Sequence, residues 1–250
     1  MDIPKKCGFK FFTVIGLLIL SISNFTAAQS RVPFKTGEKL NYSAWFNFIK
    51  GGESFLECVG FEEINGKSAC HVRSGTESLP FFDRFYKVRD YMDSWMDSSG
   101  RFSLRFEKSL REGKYRKKYS VDFDYDRGIS ISASKQDSIP ARVHDGLSMF
   151  YYVRTLDLAV GDVIKINYFD NDSLIPFYIK VDRREWVKAP IGKMECFVLE
   201  PYVESGTLLK HKSKITIHLT VDERRLPVII SNDARFGSLV LKLESVGQTD

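Results

Sequence analysis

The sequence predicts a mainly β protein in which an antiparallel sheet, built as an open or flattened barrel or a sandwich, is wrapped around one main helix at about residues 145–157. Two observations predict this class. From Gly37 onward, apolar and polar residues alternate along short runs that end at turn residues, which is the pattern of half-buried strands. One segment alone carries apolar residues at helical spacing between a capping residue and a glycine.

The first 28 residues have the order of a secretory signal peptide. Three lysines precede the apolar run 11–20, and small residues follow up to Ala28. We therefore expect cleavage after about Ala28 and an exported, periplasmic protein whose residues 29–250 form a single mainly β domain. An uncleaved N-terminal anchor is the alternative.

Removal of that segment changes what the charge implies. The full chain has 37 Lys and Arg against 32 Asp and Glu, and residues 1–28 hold three of the former and one of the latter. The remaining 222 residues carry 34 basic and 31 acidic side chains, a net charge of +3, and are long enough for a sizeable core. Such a small excess is weak evidence for a polyanionic partner.

The strands are separated by recognisable turns. An alternating run from Leu40 to Phe48 ends at the Lys-Gly-Gly of residues 50–52. Later strands are predicted at Val163–Phe169, Leu174–Asp182, Met194–Val203, Thr207–Thr220, Pro227–Asn232 and Leu239–Ser245. Strands at this regular spacing favour an antiparallel sandwich or barrel over βαβ units.

A hairpin at Asn65-Gly66 bears on the cysteines. A two-residue loop there places Phe61 opposite Cys70, and in that register Cys58 points to the other face of the sheet. A bridge between Cys58 and Cys70 is therefore disfavoured. Once Cys7 is lost with the signal peptide, Cys196 is the third remaining cysteine, so at most one disulfide can form.

A basic run, REGKYRKKYS at 111–120, lies in a second hairpin. We predict strands at 101–111 and 114–125 with Glu112-Gly113 as the loop, which pairs Glu107 with Lys118. Alternation puts the basic and the aromatic residues of the run largely on opposite faces, so a nucleic-acid groove is not expected. A solvated hairpin tip is the favoured interpretation, and contact with an anionic membrane surface is the alternative.

The main helix is predicted from Asp145, a good N-cap, to a stop before Gly161. Its apolar residues spread around more than one face, which is typical of a helix buried against a sheet. A Pro-led aromatic segment at 79–86 predicts a further single turn of helix.

No catalytic, metal-binding or cofactor-binding motif is found in the sequence, so no residue is assigned to those roles. Arg89 and Asp90 are predicted to form a structural ion pair. A concave, aromatic interior favours a non-enzymatic protein that binds or carries a hydrophobic, lipid-like envelope ligand. The residues predicted to contact that ligand are Tyr91, Trp95, Phe150, Tyr151 and Arg154.

Two other functions stay open at this point. An envelope glycan hydrolase would use a carboxylate pair drawn from Asp90, Asp93 and Asp97. A structural module would pair an exposed strand edge with another envelope protein. The oligomeric state is not determined by the sequence.

Five stretches distributed along the chain carry a family resemblance. They are GEKLNYSAWFNFIKGGES at 37–54, FYKVRDYMDSWMD at 85–97, DGLSMFYYVRTLDLAVGD at 145–162, LEPYVESGTLLKHKSKITIHLTVDERRLPVII at 199–230 and GSLVLKLESV at 237–246. Together they resemble the bacterial domain-of-unknown-function family 3108. The resemblance implies an exported, largely antiparallel β protein of Gram-negative, often Bacteroidetes-type bacteria, and it carries no catalytic residue with it.

Overall fold

The computed structural model describes residues 32–203, 214–234 and 237–248, in which fourteen strands and two helices occur. The predicted signal peptide and its cleavage site, and part of the strand predicted at Thr207–Thr220, lie outside the described residues. The strands are β1 (Glu38–Phe46), β2 (Ile49–Ile64), β3 (Lys67–Ser78), β4 (Arg89–Asp97), β5 (Ser103–Glu112), β6 (Tyr115–Asp124), β7 (Ile129–Ser132), β8 (Gln136–Ser138), β9 (Val163–Asp170), β10 (Ser173–Ala189), β11 (Gly192–Val203), β12 (Lys214–Thr220), β13 (Pro227–Ala234) and β14 (Gly237–Gln248); the helices are α1 (Pro80–Asp83) and α2 (Ser148–Arg154).

All fourteen strands belong to one antiparallel sheet. Its order is β8-β7-β6-β5-β4-β3-β2-β1-β14-β13-β12-β11-β10-β9, so strands consecutive in the chain are adjacent in the sheet except β8 and β9, and β1 pairs with β14. The prediction of a mainly β, antiparallel protein is confirmed. The sheet is not closed, because β8 and β9 are its two edges.

The sheet has two halves, one formed by β1 to β8 and the other by β9 to β14. The segment that follows β8 lies between these two halves. The Ser103 N–H at the start of β5 donates to the Val143 carbonyl at 2.9 Å. One residue later, the His144 N–H donates to the Asn167 carbonyl, and the Phe169 N–H donates to the His144 carbonyl, both at 2.8 Å. A short piece of backbone therefore connects β5 to β9 without completing a ladder.

The helix predicted at about 145–157 is shorter than expected, and it is one of two short helices in the described residues rather than a main helix around which the sheet is wrapped. Helix α2 has seven residues and α1 has four. The Asp145 carboxylate accepts the N–H groups of Leu147 and Ser148, both at 2.8 Å, so it caps a turn that leads into α2. At the other end, the Thr155 hydroxyl donates to the Tyr152 carbonyl at 2.7 Å, where the helix stops.

Helix α2 contributes side chains to two apolar clusters. Tyr151 packs in the first cluster, with residues of β2 to β6 such as Val72. Met149 and Val153 pack in the second cluster, with residues of β9 to β12 such as Ile179. A third cluster lies where β1 meets β14. The helix is thus held by tertiary packing, as a seven-residue helix must be.

Two turns differ from those predicted. The β5–β6 turn is Gly113-Lys114 rather than Glu112-Gly113, and it moves the register by two residues, so Glu107 lies opposite Ser120 instead of Lys118. Gly113 adopts a φ of +56°, which glycine tolerates. A shift of two keeps every side chain on its predicted face.

The β1–β2 turn also comes earlier than expected. Phe46 pairs with Ile49, so the turn consists of Asn47 and Phe48 rather than the Lys-Gly-Gly of 50–52. Asn47 has a φ of +54°, a conformation that Asn adopts more readily than most residues. The consequence is that Phe48 lies at a turn tip, exposed to solvent.

The β2–β3 hairpin confirms the Asn65-Gly66 turn but not the predicted face of Cys58. Phe61 lies opposite Cys70, as expected. A register shift between Cys58 and Gly60 then inserts an extra residue into β2. Such a bulge reverses the facing of the residues that precede it. Cys58 is therefore buried beside Cys70, with 3.5 Å between the two Sγ atoms.

Arg154 joins α2 to the start of the sheet. Its Nη1 lies 2.7 Å from Glu38 Oε1, and its Nη2 lies 3.1 Å from Glu38 Oε2, which is the bidentate geometry of a strong ion pair. Nη2 also donates to the carbonyls of Pro33, at 3.4 Å, and Arg224, at 3.1 Å. The Arg154 side chain is almost fully buried. One guanidinium group therefore connects β1, α2, the N-terminal segment and the β12–β13 loop.

Replacing Arg154 with leucine is expected to lower the free energy of unfolding by about 3–5 kcal/mol, because Glu38 is left with an uncompensated charge in a mostly buried position. Urea denaturation measures the change. Arg127→Leu is the control: the Arg127 side chain is 62% exposed and its Nη1 lies 3.9 Å from Asp124 Oδ2, so its loss should change stability by less than about 0.5 kcal/mol. Equal losses in the two variants would contradict the role assigned to Arg154.

Candidate functional site

The five residues predicted to contact a ligand do not form one site. Tyr91 and Trp95 lie on the face of β4 opposite the buried Ser94, that is, on the outer face of the sheet. Tyr151 and Arg154 are buried on the inner side of the sheet. Phe150 is half-buried against the second apolar cluster. The sheet itself therefore separates the strand residues from the helix residues.

The ion pair predicted between Arg89 and Asp90 is replaced by other partners. Arg89 Nη2 lies 2.7 Å from Asp83 Oδ2, and Arg89 Nε lies 3.2 Å from Glu77 Oε2. Asp90 instead accepts the N–H of Arg111 at 2.8 Å. The physical reason is that successive residues on a strand point to opposite faces. Arg89 holds α1 against the start of β4.

The aspartates considered for glycoside chemistry have structural partners. Asp93 Oδ1 lies 2.7 Å from His71 Nε2 and 2.6 Å from Arg73 Nε. Burial opposes ionisation of Asp93, but the hydrogen bonds from His71 and Arg73 outweigh it and lower the pKa. Asp97 accepts the N–H of Arg101 at 2.6 Å and fixes the β4–β5 turn. A general acid must hold a proton near neutral pH, which a lowered pKa opposes, so Asp93 does not fit that role.

A polar cluster at the start of α2 contains serine, histidine and aspartate, the residue types of a hydrolase triad. Ser148 Oγ lies 3.4 Å from His144 Nδ1, and the Asp145 carboxylate accepts the Ser94 hydroxyl at 2.6 Å rather than a proton of the histidine. All four side chains are buried. The cluster therefore has neither the bonding nor the access of a catalytic triad. It holds the first turn of the helix in place.

Burial sets the protonation states of this cluster. Desolvation lowers the pKa of His144 to about 4, and the His144 ring packs on Tyr152 with 4.4 Å between ring centroids. Desolvation also raises the pKa of Asp145, although the hydrogen bonds to its carboxylate act in the opposite direction. His144 is thus neutral in the folded protein at neutral pH.

Between pH 7 and pH 4, His144 is expected to cost the protein about 3 kcal/mol of stability, because an unfolded histidine with a pKa of about 6.5 takes up a proton that the folded state excludes. Asp145 acts in the opposite direction, since its raised pKa lets the folded state take up a proton first. We expect the His144→Gln variant to lose about 3 kcal/mol less than the wild type over this range. Urea denaturation at the two pH values measures the difference, and parallel losses would contradict it.

Exposed aromatic side chains are concentrated at one end of the sheet. Phe48 at the β1–β2 turn is 84% exposed, and Phe81 and Phe85 at α1 are 65% and 76% exposed. Tyr115, which follows the β5–β6 turn, is half exposed. In an up-and-down sheet the β1–β2, β3–β4, β5–β6 and β13–β14 turns all lie at the same end, which we call the aromatic end.

Backbone contacts join these turns into a row. The Asn47 N–H donates to the Ser238 carbonyl of the β13–β14 turn at 2.7 Å. The Leu79 N–H, just before α1, donates to the Gly51 carbonyl at 2.9 Å. The Gly113 N–H of the β5–β6 turn donates to the carbonyl of Lys87 at 2.9 Å. The turns that carry the exposed rings are therefore adjacent to one another.

The aromatic end is strongly basic. In segments 46–51, 79–88 and 110–118 there are eight Lys and Arg residues against two Asp and Glu residues. One of the two acidic groups, Asp83, is already paired with Arg89. An excess of this size contrasts with the near balance of the whole chain.

An open cleft of about 500 Å³ adjoins this end on the outer face of the sheet. Tyr91 lies in its wall, so one of the predicted ligand residues belongs to this surface. The other polar lining residues are Arg89, Ser109, Arg111, Arg116, Lys117 and Lys118. The cleft can therefore hold an anionic group beside an apolar edge.

The inner side of the sheet offers far less space. The apolar crevice between Phe150 of α2 and strand residues such as Ile179 and Leu199 has a volume of about 10 Å³. That is room for one water molecule at most. The inner face near the helix is filled by side chains.

Two further observations concern the described part of the chain. Within it, no helix combines the length and apolar character needed to cross a membrane. Among the same residues, no group of three or more His, Cys, Asp or Glu side chains is placed to hold a metal ion.

The aromatic end could be predicted from the sequence only in part. The sequence identifies the basic run at 111–120 and Tyr91. It predicts Phe48 inside a strand, and Phe81 and Phe85 in a single turn of helix without a function. The turn-forming Asn directly before Phe48 is the signal for an exposed ring.

The described residues define a mainly β protein built on one large antiparallel sheet. The family model described as a protein of unknown function, DUF3108, matches residues 40–244, and the chain belongs to this family. The resemblance noted in the sequence is thereby confirmed. No curated protein matches the chain.

Two solved bacterial structures are similar to this chain. A beta-barrel-like protein of the domain of unknown function DUF1849 from Brucella abortus has a TM-score of 0.54 and 11% identity, covering 86% of this chain and 99% of that one. A protein from Bacteroides fragilis described as exported, with a YmcC-like fold, has a TM-score of 0.38, 9% identity, and covers 86% of this chain and 98% of that one. At 11% identity, the likeness to the Brucella abortus protein shows the barrel-like fold alone.

Proposed function

We propose that this protein is a non-enzymatic protein of the cell envelope that binds an anionic membrane surface, or the lipids of that surface, through the aromatic end. The observation that carries the proposal is the coincidence of exposed rings and excess positive charge in one continuous row of turns. Soluble proteins rarely leave a contiguous apolar surface of large side chains without a partner. Basic side chains around such a surface match an anionic one.

The exposed aromatic rings and the basic side chains supply complementary parts of the free energy of membrane binding. Full transfer of a Phe side chain out of water contributes about 1.5–3 kcal/mol, and three Phe rings at the tips, those of Phe48, Phe81 and Phe85, are at least 65% exposed. Each Lys or Arg close to an anionic leaflet contributes about 1 kcal/mol. Stable peripheral binding generally needs two such signals together. The aromatic end provides both.

The basic cleft gives this surface a place for a lipid headgroup. Arg111 and Arg116 lie directly opposite each other on β5 and β6, and Lys118 follows on the same face. Guanidinium groups bind phosphate oxygens in a bidentate manner. When the exposed rings are inserted at the boundary between headgroups and acyl chains, the phosphate of a lipid headgroup can lie in the cleft beside Tyr91.

Binding of a membrane by the aromatic end fits the structure better than carriage of a lipid on the inner side of the sheet. The crevice beside α2 is too small for an acyl chain, whereas the rings at the tips are already exposed. Export supports the same function, since the predicted signal peptide would deliver residues 29–250 to an envelope compartment lined by membrane. The hydrolase alternative has no support from Asp93. Of the two edge strands, β8 has only three residues, and the backbone of His144 already bonds to Asn167 and Phe169 of β9, so the edges offer little to a pairing partner.

We expect the wild type to co-sediment with vesicles of phosphatidylglycerol and phosphatidylcholine in equal parts, and to bind pure phosphatidylcholine at least tenfold more weakly. The Arg111→Glu/Arg116→Glu variant should lose at least tenfold in affinity for the anionic vesicles, because two attractive charges become repulsive. The Phe48→Ser/Phe81→Ser variant should lose at least tenfold on the same vesicles, because its apolar contact is removed.

Matched controls use the same chemistry at the opposite end of the sheet. Trp186, 64% exposed, and Lys193 lie near the β10–β11 turn. Trp186→Ser and Lys193→Glu should bind vesicles like the wild type, and urea denaturation should show that all variants are folded. Failure of the wild type to sediment with anionic vesicles, or equal losses in the controls, would reject the proposal.

A further inference from the structure

Two cysteines that the sequence pattern places on opposite faces are neighbours in the folded protein. The Sγ atoms of Cys58 on β2 and Cys70 on β3 are 3.5 Å apart, and both side chains are fully buried in the first apolar cluster. The bulge before Gly60 creates this contact by turning Cys58 to the inner face. Cys196 belongs to a different cluster, around β1 and β14.

We propose that Cys58 and Cys70 are joined by a disulfide in the exported protein. A disulfide bond brings the sulfurs to about 2.05 Å, so the pair needs to approach by roughly 1.5 Å. The inference depends on export but not on membrane binding, since oxidising compartments are where such bonds persist.

The reaction requires an oxidant, which we take to be a thiol–disulfide oxidoreductase or a small disulfide such as oxidised glutathione. The Cys58 thiolate attacks one sulfur of the oxidant's disulfide, which forms a mixed disulfide and releases one oxidant thiol. The Cys70 thiolate then attacks the Cys58 sulfur and releases the second oxidant thiol. Two protein thiols are lost, one S–S bond is gained, and two electrons and two protons pass to the oxidant.

Either cysteine can make the first attack, and the products are the same if Cys70 attacks before Cys58. The two thiols form a hydrogen-bonded pair in which either sulfur can be the donor. Burial opposes the ionisation of both thiols in the folded protein. Because the thiolate is the attacking species, the exchange is favoured while the sulfurs are still in water.

Burial limits when this exchange takes place. Neither sulfur is exposed in the folded protein, so an oxidant cannot reach the pair once the first apolar cluster has formed. The two cysteines are only 12 residues apart along a hairpin with a tight Asn65-Gly66 turn. The hairpin can therefore bring them together early in folding, while the sulfurs are still accessible.

Peptide mapping of the exported protein, isolated without reductant, tests the proposal. The protein is denatured in N-ethylmaleimide at once, then digested and analysed by mass spectrometry. We expect a linked peptide pair containing Cys58 and Cys70, and an alkylated peptide containing Cys196, which serves as the internal control. Recovery of Cys58 and Cys70 as alkylated peptides, or linkage of either one to Cys196, would overturn the proposal.

A second measurement does not depend on peptide recovery. Reductant should lower the Tm of the oxidised wild type by about 5–10 °C, because the bridge closes a short loop in the unfolded chain. The Cys196→Ala variant should show the same shift, and Cys58→Ala should show none. No shift in the wild type would count against the bond. Vesicle binding should be equal in oxidised and reduced protein, so the two proposals can fail separately.

Discussion

The buried pairing of Arg154 with Glu38 is the interaction on which the arrangement of the rest depends. Glu38 is the first residue of β1, the strand that pairs with β14 and so links the two halves of the sheet. Arg154 is the last residue of α2, which packs into the core of each half. Burying two charges is costly unless they are paired, and here each oxygen of the Glu38 carboxylate accepts from one terminal nitrogen of Arg154. A shift of α2 along the sheet would separate the two charges, so the pair disfavours other positions of the helix.

Polar partners at both ends of α2 explain why so short a helix is stable. Seven residues form too few internal hydrogen bonds to persist alone. Asp145 supplies the missing acceptors at one end, and Arg154 fixes the other end to β1. Tyr151 packs edge-on against Phe34 between them, with 4.8 Å between ring centroids. Buried polar groups thus determine where the helix lies, while apolar burial provides most of the stabilisation.

Features that depend on local chemistry could be predicted from the sequence. The antiparallel class, the Asn65-Gly66 turn, the short helix after Leu79 and the capping role of Asp145 all follow from period, turn residues and side-chain acceptors. Each of these involves residues within a few positions of one another. The energetic preference is therefore contained in the segment itself.

Features that depend on a single inserted residue, or on partners distant in the chain, could not be predicted from the sequence. A bulge before Gly60 reversed the face of Cys58, and alternation alone gives no sign of an inserted residue. Arg89 finds its partners at Asp83 and Glu77 because the chain folds back through α1. Glu38 and Arg154 are 116 residues apart, and no local pattern connects them.

The basic run at 111–120 shows how a surface can be missed when one strand is considered alone. Most of its basic residues point to the face opposite its two tyrosines, which argues against a groove along the strand. The end of a sheet, however, is not a face of a strand. Turns from several hairpins lie next to one another there. Phe48, Phe81 and Tyr115 lie on these neighbouring turns, together with the excess of positive charge. Because side chains fill the crevice beside α2, the inner face near the helix offers no comparable apolar surface.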